Sequence, residues 1–79
     1  MNGLRIFINP DTRGQGKHSV FYSQRSHGPI YRWHYEEHLD RWYVVRLDAL
    51  VSFSRELCAA RWNSVPPGLK AQLSEHYVE

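Results

Sequence analysis

Along the first 47 residues the apolar positions recur with a period near two. In LRIFI, residues 4–8, Leu4, Ile6 and Ile8 share one side and Arg5 and Phe7 the other, which is the spacing of a strand. HSVFYSQ, residues 18–24, is β-prone and apolar on both sides and predicts a second strand. IYRWHYEE (30–37) and RWYVVRL (41–47) predict a third and a fourth, joined by His38, Leu39 and Asp40. The segments between are breakers: NPDTRGQGK at 9–17 and RSHGP at 25–29. A helical stripe competes for one stretch, because Tyr31, Tyr35, Leu39 and Trp42 also recur at helical spacing. The aromatic and β-branched content of IYRW and RWYVV favours the strand there.

After residue 47 the period changes. Asp48 suits a helix N-cap, and Leu50, Phe53, Leu57 and Ala60 recur at helical spacing towards Trp62. NSVPP interrupts. Pro66 and Pro67 fit the first turn of a last helix, where amides lack intrahelical partners, and Leu69, Leu73 and Tyr77 form its apolar stripe. The expected fold is therefore α+β, one small domain spanning residues 1–79. A four-stranded antiparallel meander (ββββαα) carries two C-terminal helices packed on one face, and short connections favour hairpins over crossovers.

The third hairpin decides which rings are core. A three-residue loop at 38–40 pairs Glu37 with Arg41, Tyr35 with Tyr43, Trp33 with Val45 and Tyr31 with Leu47. That register gathers an apolar face for the helices to cover. It leaves Arg32, His34, Glu36, Trp42, Val44 and Arg46 on the far face. A one-residue slip would exchange the two faces of the fourth strand.

Composition adds bulk and little charge. The 79 residues include three Trp, five Tyr and three Phe, large rings that help so short a chain bury enough area to fold. Net charge is +2 but uneven: Arg5, Arg13, Lys17, Arg25 and Arg32 face Asp11 alone in residues 1–35, while acids outnumber bases beyond. An anionic partner would meet the N-terminal half first. The single cysteine, Cys58, excludes an internal disulfide and suits a reducing cytoplasm. It is read as a small hydrophobe inside the first helix. No apolar run reaches the length of a membrane span, and MNGLRIFINP is too short an apolar run for a signal peptide. The expectation is a soluble cytoplasmic protein.

Two motifs invite chemistry and fail on spacing. His34-Tyr35-Glu36-Glu37-His38 fits H-x-x-E-H, which binds zinc only when both imidazoles share a helical face. On a strand they stand about 13 Å apart. Gly14-Gln15-Gly16-Lys17-His18-Ser19 resembles a phosphate loop, but its glycines are too close and His18 separates Lys17 from Ser19. No serine has an elbow glycine beside it. The sequence thus points to a non-enzymatic domain with no catalytic residue, metal, cofactor or small-molecule substrate.

The leading expectation is a protein-interaction domain that binds itself or a larger protein through an aromatic and basic sheet face: Arg5, Arg32, His34, Trp42 and Arg46. The second reading is a nucleic-acid module using the same face, with Arg13 and Lys17 as a basic loop that could touch phosphates.

Overall fold

The computed structural model describes residues 3–8, 19–47 and 58–78. Strands β1 (Leu4–Ile8), β2 (Val20–Arg25), β3 (Ile30–Glu36) and β4 (Arg41–Leu47) form the expected antiparallel meander. A two-residue strand, β5 (Cys58–Ala59), adds to β1, giving a five-stranded sheet in the order β4-β3-β2-β1-β5. A 3₁₀ turn at Trp62–Ser64 leads into helix α1 (Pro67–His76).

Two expectations need correction. The helix foreseen from Asp48 to Trp62 falls largely on residues 48–57, outside the described residues. Its described end is not helical: Phe7 pairs with Ala59, Ile8 with Cys58, and the Ala60 amide donates to the Ile6 carbonyl at 2.8 Å. The free edge of β1 offers ladder bonds there, and pairing overrides helical periodicity.

The second correction is the hairpin register. The loop has four residues, 37–40, so that Glu36 faces Arg41, Tyr35 faces Trp42 and Trp33 faces Val44. The Leu39 and Asp40 amides donate to the carbonyls of Glu36 and Glu37, and Asp40 takes a left-handed φ of 47°, a conformation Asp tolerates better than most residues. Every side chain of β4 is therefore on the opposite face from the one expected. The physical reason is that α1 covers only the start of this edge strand. One large ring there, Trp42, buries more area than a smaller residue would, while Val44 and Arg46 beyond it stay exposed.

The core lies between one face of the sheet and the chain from Val65 onward. Ile6, Phe21, Trp33, Trp42, Val65, Leu69 and Leu73 form it, with the side chains of Leu69 and Leu73 fully buried. Tyr31, Tyr35 and Tyr77 pack against its margin. Pro67 occupies the first helical position, and Leu69 and Leu73 carry the expected stripe. Ser23 is fully buried too. It accepts a 2.9 Å bond from Trp33 Nε1 and shares a 2.8 Å bond with the Tyr77 hydroxyl, so the polar atoms under the helix end satisfy one another.

Candidate functional site

Cross-strand register assembles the face away from α1, since directly opposed residues point the same way. Phe7, Tyr22, Arg32 and Val45 form one row across β1 to β4. Val20, His34 and Tyr43 form a second, and Arg5, Gln24, Ile30 and Leu47 a third. Tyr43 and Val45 stand 38% and 41% exposed, and Arg5 and Arg32 are exposed. The imidazole of His34 stacks on the Tyr43 ring, with centroids 5.7 Å apart and planes 26° apart. This part of the face is a mixed apolar and aromatic surface with two guanidinium groups.

Among the described strands β4 has a neighbour on one side only, so the face runs out to an edge there. In an antiparallel ladder, alternate residues turn their main-chain groups away from the partner strand. On β4 these are Trp42, Val44 and Arg46: the Tyr35 amide opposite Trp42 bonds to Ser19 on the far side of β3. Gln72 of α1 occupies the first position. Its Oε1 accepts from the Trp42 amide at 2.9 Å and its Nε2 donates to the Trp42 carbonyl at 2.7 Å. Among the described residues nothing equivalent meets the outward groups of Val44 and Arg46. Val44 is itself 39% exposed.

A groove of about 570 Å³ opens on the helix side, between the β3–β4 turn and the start of α1. Its lining includes Phe21, Tyr35, Trp42 and Pro66 with the acidic Glu37 and Asp40. The Tyr35 hydroxyl donates to Asp40 Oδ1. That bond, foremost, raises the Tyr35 pKa above the ordinary tyrosine value, with desolvation and the charges of Asp40 and Glu37 adding to it. Burial raises the Tyr77 pKa likewise, partly offset by its bond to Ser23.

Of the residues expected to form a binding face, the structure brings Arg5, Arg32 and His34 together. Trp42 and Arg46 lie on the helix side instead. Trp42 is core, 5% exposed, its ring edge-on to Phe21 at 5.7 Å, and Arg46 is exposed beside the open edge, opposite Tyr31. The displaced register is the cause of both. Arg13 and Lys17 lie outside the described residues. Tyr43 and Val45 are the surface residues that sequence reasoning placed in the core. Their signal was the unbroken run Trp42-Tyr43-Val44-Val45, which leaves apolar side chains on both faces in any register.

His34 sits on β3 and His38 in the turn after it, and no three metal-ligating side chains cluster among the described residues. No described helix is long and apolar enough to cross a membrane. No family model matches the chain, and no curated protein or solved structure matches it.

Proposed function

We propose that this domain is a non-enzymatic protein-interaction module whose binding surface is the far face of β3 and β4 together with the β4 edge. The observation that carries the reading is the exposure of Tyr43, Val44 and Val45 as neighbours on an edge strand whose outward main-chain groups at Val44 and Arg46 meet no partner among the described residues. Apolar side chains beside an open edge mark a site where another chain adds. His34 and Arg32 give that surface directionality through hydrogen bonding. The lone Cys58 thiol suits a reducing compartment such as the cytoplasm.

A second reading, nucleic-acid binding, is favoured by one observation: Arg5 and Arg32 share a face with the stacked His34–Tyr43 pair. Bases stack on such rings and phosphates pair with such cations. It is the weaker reading because Arg46 turns to the other face.

A photo-crosslinking side chain at position 43, with exposed Glu75 on α1 as the control position, tests both in cells that make the protein. Discrete protein adducts at 43 that vanish with Val45→Lys uphold the first reading. Adducts to RNA or DNA alone replace it with the second. Labelling at 43 no different from that at 75 overturns both.

A further inference from the structure

Resting on the protein-interaction reading, we infer that the occupant of the β4 edge is a second copy of this chain, paired antiparallel about a two-fold axis at Val45. Little of the β4 edge is open. Gln72 already bonds both outward groups of Trp42, so a partner strand finds only Val44 and Arg46 within residues 41–47. A two-fold pairing must satisfy these two positions with the same two on the other copy.

Only one register does so. Centred on Val45, it sets Val44 opposite Arg46 of the partner subunit, and the reverse, as two hydrogen-bonded pairs that use every open group. Centring on Val44 would pair Arg46 with a Trp42 backbone that Gln72 has taken. Centring on Arg46 would set two guanidinium groups side by side and leave Val44 facing residue 48. The Val45 register also matches side chains. Val45 meets its own copy, Tyr43 meets the partner's Leu47 on the far face, and each Arg46 lies beside an apolar residue rather than a like charge. Two exposed apolar side chains of each copy's far face, Tyr43 and Val45, are thereby covered. The two sheets become one ten-stranded sheet with both helices on the same face.

The register is read by disulfide trapping in the full chain carrying Cys58→Ser. Opposed non-hydrogen-bonded residues lie about 4.5 Å apart at Cα, within disulfide range. Two Tyr43 positions lie about 13 Å or more apart, because each is displaced four residues from its own copy. Under mild oxidation Val45→Cys is expected to form a covalent dimer roughly tenfold or more faster than Tyr43→Cys. Val44→Pro in the Val45→Cys background is expected to abolish trapping: it removes an outward N–H that the β3–β4 ladder does not use. Should Val44→Pro fail to fold by its amide spectrum, Val45→Lys, tested by sedimentation, sets two ammonium groups at the axis and is expected to leave a monomer.

Equal trapping at 43 and 45 would overturn the register. No trapping, with a monomer in sedimentation at every concentration, would overturn the second copy. If adducts at position 43 then join other proteins, the interaction reading stands without self-pairing; if there are none, both fall.

Discussion

Gln72 hydrogen-bonds Trp42 as a neighbouring strand would, accepting from its amide at 2.9 Å and donating to its carbonyl at 2.7 Å. A helix side chain thus closes one position of a sheet edge and leaves two. Edge strands are ordinarily blunted along their length by charge, proline or cover. Here, among the described residues, the cover stops after one residue, next to the most apolar part of the strand.

Replacing Gln72 by Ala leaves two main-chain groups without their partner and opens a third edge position. The expected cost is about 1–2 kcal/mol of folding stability, read by urea unfolding. Association should increase at the same time, read by light scattering. A Gln72→Ala protein as stable as the parent would mean the clamp does not persist in solution.

Both Trp33 and Trp42 are core. Trp33→Ala and Trp42→Ala should each cost about 3–5 kcal/mol through lost burial and the cavity left behind, whereas Tyr43→Ala should stay within about 0.5 kcal/mol. Denaturant melts of the three variants check the β4 register directly. A mild Trp42→Ala would return Trp42 to the surface, where the sequence pattern had put it.

Tyr77 links folding to alkaline pH. Burial, its largest influence, raises its pKa above the unfolded value, so above about pH 10 the unfolded chain loses its proton first and the folded chain holds more. The stability it contributes is complete below that pH and is lost as pH rises through the folded-state value. Tyr35, raised by its bond to Asp40, acts with the same sign. Stability measured from pH 8 to 11 should fall at the alkaline end, and Tyr77→Phe should flatten the fall while costing about 1 kcal/mol at neutral pH through the lost bond to Ser23. An unchanged alkaline limb in Tyr77→Phe would refute the linkage.

Asp40 has two roles that one substitution separates. Asp40→Gly accepts the left-handed backbone of the turn but removes the carboxylate that accepts the hydrogen bond of the Tyr35 hydroxyl. Ultraviolet titration should show one tyrosine moving down towards its ordinary range with the fold intact. No movement would place the Tyr35 hydroxyl elsewhere in solution.

The elements with strong periodicity were legible in the sequence: four strands in meander order, and a last helix with Pro66 and Pro67 at its start that buries Leu69 and Leu73. The rings of Tyr31, Trp33 and Tyr35 were legible as facing the helix. The register of β4 was not. Segregating Tyr43, Val45 and Leu47 from Trp42, Val44 and Arg46 assumes that a whole strand face is buried, and an edge strand covered only at Trp42 does not meet that assumption. The Gln72 clamp is a contact across 30 positions of chain, which periodicity does not record, and the four-residue turn is closed by local main-chain bonds from Leu39 and Asp40 that the side-chain pattern does not show. The same holds for β5, whose two residues are defined by the edge they fill. Of the candidate face, Arg32 and His34 were placed together by strand parity; parity left open which side of β1 joins them, and the register puts Arg5 there. Trp42 and Arg46 were misplaced by the slip that concealed Tyr43 and Val45.

The most direct test is amide hydrogen exchange along β4, followed by NMR in dilute and in concentrated protein. Tyr43 and Val45, bonded to β3, and Trp42, bonded to Gln72, should be protected in both. Val44 and Arg46 should exchange freely when dilute and become protected as concentration rises, because their amides face the docking edge. Free exchange at Val44 and Arg46 at every concentration would show that no second copy adds to β4, and early exchange at Trp42 would show that its edge is not closed by Gln72.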